Sequence, residues 1–403
     1  MFFLSKDRSW EQALSSIFYP ELRLIRDKLR FKFKSITTLI KNYELGISSA
    51  TLNLPRDLID YFHRLDDDTK KQIKNLTPRF RSQGSYVYKT INSPIYIPEQ
   101  QMDLDDGIYL PLDFFEDKPI ITKDAFFVIV DEALNELSKE FNWIKKEKPT
   151  CARLIINSDK HIDIPLYAIP KVEFEKIVES RAALNKADSY SYTMDSALEY
   201  IVLDPDKVYL ACRDNKHWIP SDPELVRNWF ETQVKLHGVI LRQTCRYLKA
   251  WRDYHWKNGG PSSIALMICA SNSFNEYFQQ GYGFADHGEA LIAVVNKLKA
   301  QFSSNIMNPT DSDGIEEPVF PRNHSEEEIQ FIQDKANEFS LILNKALYES
   351  KSKLDCLDLI RSVMGDRIPY STDLIDTKEA SSVLSTPATL QPKPIASNNM
   401  KAG

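Results

Sequence analysis

The first strong pattern along the chain is helical. Between residues 8 and 45, Ile17, Leu22, Ile25, Leu29, Phe33 and Ile36 recur near helical spacing, which marks one buried stripe on a long amphipathic helix. Arg26, Arg30 and Lys34 lie between them, four apart on one side. They read as a solvated basic face, with a pocket for an anionic ligand as the second reading. Another helical stretch covers 54–76, with a break expected near Asp66 to Asp68. The period then changes. From Tyr86 to Leu110 the β-branched and aromatic content rises around Asn92, Pro94 and Pro98, which predicts strand, loop, strand. Helical spacing returns over 122–143 through Phe126, Val130, Leu134, Leu137 and Phe141. CARLIIN and HIDIPLYAI predict two strands around a Ser158-Asp159-Lys160 turn, and KVYLACR (207–213) a further one. This order suggests a mixed sheet backed by helices.

After Trp218 the pattern is almost wholly helical. Ser221-Asp222-Pro223-Glu224 predicts a capping box with Ser221 at the N-cap, opening a helix that runs to about Trp256 and is stopped by NGGP at 258–261. Further helices are expected from SSIALMICASNSFNEYF, over 288–302, and after a second capping box at Ser325 and Glu328. From Asp376 the chain has no aromatic residue and three prolines, so it cannot bury enough apolar surface to offset ordering entropy and reads as a disordered tail. The expected division is N-terminal helices over 1–76 packing along both lobes, a core over 77–217, a helical domain over 218–375 and a tail over 376–403.

Composition narrows the partners. A net charge of −6 offers no global attraction to a nucleic acid backbone, so a long duplex is not expected and any phosphate must be met by a local pocket. The five cysteines (Cys151, Cys212, Cys245, Cys269, Cys356) are never in C-x-x-C spacing, which argues against a disulfide framework and a zinc ribbon. No apolar stretch is long enough for a signal peptide or membrane span. A soluble, cytoplasmic protein is expected.

The chemistry-bearing stretch is residues 79–110, with Asp103, Asp105 and Asp106 at its centre. A strand sends alternate side chains to one face, so Asp103 and Asp105 emerge together while Leu104 enters the core. Such a pair of carboxylates can bridge two Mg²⁺ ions about 3.5 to 4 Å apart, as in-line phosphoryl displacement requires. A D-x-D alone is weak evidence. Asp163, between Ile162 and Ile164 on a second strand, is costly to bury unless it binds something, and it completes a triad. Gly84-Ser85 supplies close backbone approach, a hydroxyl and N–H groups for phosphate oxygens.

TPRFRSQGSYVYKTINSP, QMDLDDGIYLPLDFFE, HIDIPLYAIP, SDPELVRNWF and CRYLKAWRDYHWKNGGPSSIALM together resemble the bacterial cyclic GMP-AMP synthases of the DncV type, within the cGAS/DncV-like nucleotidyltransferases (CD-NTases) of CBASS antiphage systems. The similarity spans roughly residues 20 to 375 in order. It implies an α+β fold, with a polymerase-β-like nucleotidyltransferase core on a mixed sheet plus a helical C-terminal domain of the oligoadenylate-synthase type. It also implies that ATP and GTP are joined in two steps into a 3′,3′-linked cyclic dinucleotide by a bacterial cytoplasmic enzyme, expected to be a monomer using two Mg²⁺ ions or Mn²⁺.

Residue by residue, the resemblance implies that Asp103, Asp105 and Asp163 are the metal ligands and that Gln83, Gly84 and Ser85 form the phosphate-binding turn. Tyr88 matches an aromatic beside a base, and Arg153 a residue near the acceptor base, where it could pair with guanine O6 and N7. Lys249 and Ser263 match triphosphate contacts. Ser221 matches a nucleotide-contacting serine, although an N-cap role alone would explain it. Asp313 matches an acid near a nucleotide, with Asp311 as the alternative because this loop departs in length from the family pattern.

The resemblance also implies that an E1/E2-like CBASS conjugating enzyme joins the C-terminal Gly403 to a target. The competing readings are a nucleotidyltransferase with another cyclic or a linear, oligoadenylate-like product, and a catalytically silent nucleotide-binding module. All three acids are present, which argues against decay. The missing Cys/His cluster separates the chain from the zinc-bearing animal DNA sensors of the superfamily.

Overall fold

The computed structural model describes residues 7–48, 52–115, 118–119, 123–172, 174–175, 204–214, 218–221, 223–284, 286–310 and 318–375. They fall into two units, one within Lys6–Asn228 and one within Trp229–Gly403. The 376–403 tail, Asp311, Asp313 and Gly403 lie outside the described residues.

The first unit opens on helix α1 (Asp7–Glu44), then α2 (Arg56–His63) and α3 (Asp67–Asn75). The expected break between the last two is made by Asp66, whose carboxylate caps α3 by accepting from the Thr69 N–H at 2.7 Å. Strand β1 (Arg79–Gln83) leads into a single helical turn, α4 (Gly84–Val87). Strand β2 (Met102–Leu112), a short β3–β4 pair (Phe114–Phe115, Lys118–Pro119), helix α5 (Asp124–Phe141), and strands β5 (Ile144–Glu147), β6 (Cys151–Ile155) and β7 (Lys160–Pro170) follow. The two-residue strands β8 (Tyr209–Leu210) and β9 (Ile219–Pro220) complete a sheet of order β1-β2-β7-β6-β5, with β8 also on β7.

Three expectations change here. The first strand lies at 79–83 and not from Tyr86, because Gly84 turns the chain with φ +65° and Tyr86 falls in the helical turn after it. Pairing is carried by RFRSQ, whose buried arginine finds a carboxylate. KVYLACR contributes only two strand residues. Phe141 does not continue the buried stripe of α5; it is exposed and stacks on Trp143 at 4.9 Å.

One face of the sheet makes the core. Leu104, Ile108 and Leu110 of β2 and Ile162, Ile164 and Leu166 of β7 pack with Leu22, Ile25, Leu29, Phe33 and Ile36 of α1 and with Phe126, Val130 and Leu134 of α5. The basic residues of α1 are explained by this packing. Arg26 forks onto Asp106, with Nε to Oδ2 at 2.8 Å and Nη2 to Oδ1 at 2.5 Å, and also donates to Ser82 Oγ. Arg30 pairs with Asp27 and covers the Phe80 ring at 4.9 Å. Lys34 is exposed. Asp106 therefore leaves the acidic triplet: it points to the core face, opposite Asp103 and Asp105, and serves structure.

The second unit is helical: the rest of α6 (Pro223–His237), α7 (Val239–His255), α8 (Ser263–Gln279), α9 (His287–Gln301), α10 (Glu326–Tyr348) and α11 (Lys353–Met364), with a small hairpin of β10 (Ile306–Met307) and β11 (Pro318–Phe320). The single helix expected to Trp256 is two, because Gly238 adopts φ +84° between them. The described part of the next helix starts at Pro223, and Asp222 of the expected capping box lies outside the described residues. Ser221 donates its N–H to Val208 O, and Glu224 is held by Arg81 at 2.6 Å. The Ser325–Glu328 capping box forms as expected. Trp251 of α7 stacks on Phe339 of α10 at 5.5 Å in the core of this unit.

Removing Arg26 strands a buried carboxylate. Arg26→Ala should cost about 3–5 kcal/mol in urea unfolding, while replacing Arg26 and Asp106 together by Met and Leu should recover most of the loss. Equal destabilisation by the single and double changes would show that the fork is not what holds this helix.

Candidate active site

The site lies on the other face of the sheet, where the odd-numbered residues of β2 and β7 emerge. The two strands are parallel, with Asp105 beside Asp163 and Asp103 beside His161; β6 places Arg153 beside Asp163, and β1 places Gln83 beside Asp105. The register thus draws one row, Arg153, Asp163, Asp105 and Gln83, across four strands.

Charge is concentrated in the middle of this row. Burial, then the charges of Asp103 and Asp163, push the Asp105 carboxyl up to about 7. Arg153 offsets part of the crowding by forking onto Asp163, Nε to Oδ1 and Nη2 to Oδ2, both at 2.6 Å. Asp163 is 8% exposed, whereas the Asp103 side chain is 44% exposed, so the group opens toward solvent at Asp103.

Gly84 is fixed by geometry twice over. Its φ is +65°, and a Cβ there would meet Asp105 Oδ2 at 2.3 Å. The turn backbone therefore presses against the central acid, and Ser85 follows as the next residue of the helical turn. The Gln83 amide is engaged within the protein. Its Nε2 donates to Tyr109 Oη at 2.8 Å and its Oε1 accepts from Tyr167 Oη at 3.2 Å, tying the turn to two tyrosines whose rings stack at 5.0 Å. Tyr88 ends the turn; its hydroxyl is pushed up by burial and by the charges of Glu224 and Asp105.

Other expected residues lie on other elements. In the second unit Lys249 is buried in α7 and Ser263 opens α8, with its hydroxyl accepting from Arg252 Nη1 at 2.9 Å. Ser221 joins β9 to α6.

The donor set fits a divalent cation. Single ligand atoms of Asp103, Asp163 and His161 lie within 4.8 Å of one another, and a positive ion would offset the burial and the like charges that raise the Asp105 carboxyl. His161 was missed from the sequence, although the alternation in HIDI puts it on the same face as Asp163.

Two family models match: a cyclic GMP-AMP synthase DncV-like nucleotidyltransferase domain over residues 78–167, and a cyclic GMP-AMP synthase C-terminal domain over 238–378. A cyclic GMP-AMP synthase of Vibrio cholerae is 34% identical over 86% of this chain and 81% of its own length. The chain belongs to the DncV-like nucleotidyltransferase family. An Escherichia coli cyclic GMP-AMP synthase is 31% identical over 91% of this chain and 89% of its own length. Crystallised Vibrio cholerae DncV, in complex with the linear intermediate pppA(3′,5′)pG, superposes with a TM-score of 0.75 at 30% identity, over 94% of this chain and 95% of that one. The protein is thus an enzyme of this fold, with the triad on paired strands of its mixed sheet. No helix among the described residues is long and apolar enough to cross a membrane.

Two outcomes follow. Gly84→Ala should force Asp105 aside and lower nucleotidyl transfer by about 10²-fold or more while the protein still folds, as a displaced catalytic group typically does; wild-type turnover would contradict the packing. The raised Asp105 carboxyl keeps its proton in the folded state between its ordinary 3.8 and about 7, where the unfolded chain has lost it. The folded state binds more protons in that window, so metal-free stability should fall as pH rises through it. Melting curves from pH 5 to pH 8 should show this slope in the wild type, a flatter one in Asp105→Asn, and recovery at pH 8 on adding a divalent cation.

Proposed function

We propose that this enzyme joins ATP and GTP into 3′,3′-cyclic GMP-AMP, as a second messenger in CBASS antiphage defence, using Mg²⁺ or Mn²⁺. The observation that carries the reading is the row of acids on β2 and β7 beside the glycine turn, in a chain whose relatives along most of its length are cyclic GMP-AMP synthases. Vibrio cholerae DncV has been solved with ATP and GTP and with pppA(3′,5′)pG, which supports two successive transfers through a linear intermediate.

In this reading Asp103, Asp105 and Asp163 would hold a pair of divalent cations, which would supply Lewis-acid chemistry to the acceptor hydroxyl and to the charge on the transferred phosphate. The Gly84–Ser85 turn holds donor phosphate oxygens through backbone N–H groups and the Ser85 hydroxyl. Asp163 orients or takes the proton of the attacking 3′-hydroxyl. Arg153, forked onto Asp163, stands near the acceptor base, and Tyr88 packs beside a base. Lys249 and Ser263 bind triphosphate oxygens, while Ser221 and Asp313 contact nucleotide. Each transfer forms a bond from the 3′-hydroxyl to the donor α-phosphorus and expels pyrophosphate, and between the two transfers the linear product turns over, so that its own triphosphate becomes the donor. Gly403 is the residue that an E1/E2-like conjugating enzyme would join to a target.

Incubation with Mg²⁺ and each combination of labelled ATP, GTP, CTP and UTP tests the reaction. A phosphatase-resistant product of cyclic GMP-AMP mass should appear only with ATP plus GTP, and Asp103→Ala with Asp105→Ala should leave under about 1% of it; a phosphatase-sensitive ladder would mean linear synthesis. Intact mass after co-expression with the conjugating enzyme should show an adduct that disappears when Gly403 is deleted.

A further inference from the structure

The reaction as described gives no role to His161, which the fold places among the acids. It is 6% exposed, two residues before Asp163 on β7 and across the parallel ladder from Asp103. Its Nδ1 is 3.0 Å from Gln101 Oε1. The Gln101 amide is oriented by its own nitrogen, which donates to the carbonyl oxygens of Asn157 and Ser158 at 3.2 Å each. With the amide nitrogen spent there, its oxygen faces the ring, and Nδ1 is the nitrogen that carries the proton. A neutral imidazole in that tautomer presents a lone pair at Nε2.

Nε2 is buried and has no hydrogen-bond partner. Its neighbour is Asp103 Oδ1 at 2.9 Å, itself buried and without a hydrogen bond, so the two atoms are close without being aligned as donor and acceptor. Two lone-pair atoms at that separation repel each other unless an electrophile lies against both. The separation matches the edge of about 3 Å between neighbouring ligands of a six-coordinate ion with ~2.1 Å bonds. Asp163 supplies a third ligand atom within the same 4.8 Å cluster, and although Arg153 occupies both its oxygens, each keeps another lone pair. An N–H directed from the far side of the ring to an amide oxygen is the supporting contact that metal-bound imidazoles usually have.

We propose that His161 is a nitrogen ligand of a divalent cation held by Asp103 and Asp163, making one position of the site a mixed nitrogen and oxygen site. This rests on the metal-dependent reading of the acids and goes beyond it, because an all-carboxylate site suits Mg²⁺ whereas an imidazole shifts preference toward transition ions. Mn²⁺ should therefore bind more tightly than Mg²⁺ in the absence of nucleotide. His161→Asn should weaken Mn²⁺ by about tenfold or more and Mg²⁺ by less.

Electron spin echo spectroscopy of Mn²⁺ on the full-length protein reads the ligand directly. The expected spectrum shows nitrogen-14 coupling that is replaced by nitrogen-15 coupling when histidine alone is isotopically labelled, and that is lost in His161→Asn and His161→Gln. The labelling arm uses the wild-type protein, so it holds even where a variant folds poorly. Bound Mn²⁺ with a nitrogen-free spectrum would overturn this assignment and leave the acids as the metal site. Mn²⁺ binding no stronger than in the Asp103→Ala, Asp105→Ala protein would overturn both.

Discussion

The parallel pairing of β2 with β7 sets Asp105 directly beside Asp163 on one face of the sheet, with Asp103 one step along and His161 beside it. Placing three carboxylates this close in partly buried surroundings is unfavourable, and the raised Asp105 carboxyl is the direct expression of that cost. The surrounding structure serves to hold the arrangement despite it. Arg153 neutralises one acid from β6, Gly84 permits the turn to press against another, and Gln83 locks that turn to Tyr109 and Tyr167. A site assembled against its own repulsion is preorganised for cations, because their binding removes the penalty without rearranging the sheet.

The opposite face explains how the sheet tolerates the strain. Asp106, adjacent in sequence to Asp105, turns into the core and is matched by Arg26 from α1, with Ser82 completing its hydrogen bonds. Consecutive acids in one strand thus have opposite purposes, set by the alternation of side chains across the pleat. The buried Arg81–Glu224 pair likewise joins the middle of β1 to the first turn of α6.

Much of this was legible in the sequence. The stripe from Leu22 to Ile36, the Asp66 break and the Ser325–Glu328 capping box are local patterns, and each formed as its period or cap required. The triad was legible too, because D-x-D and an acid between isoleucines are both period-two signals. What escaped depended on partners distant in the chain. RFRSQ reads as polar until Arg81 finds Glu224, the amide of Gln83 has no visible partner until two tyrosines bond it, and Arg26 reads as part of a basic face until Asp106 is seen behind it. The single residue Gly238, unremarked in a helical stretch, divides it because its φ of +84° is outside the helix.

The central claim is that these acids exist to hold cations at the point of phosphoryl transfer. Anomalous diffraction from crystals containing Mn²⁺ and a non-reactive triphosphate would test it most directly. Anomalous peaks between the carboxylates of Asp103, Asp105 and Asp163 and the triphosphate are the expected result. Ordered triphosphate on the Gly84–Ser85 turn with no anomalous peak at these three acids would contradict it.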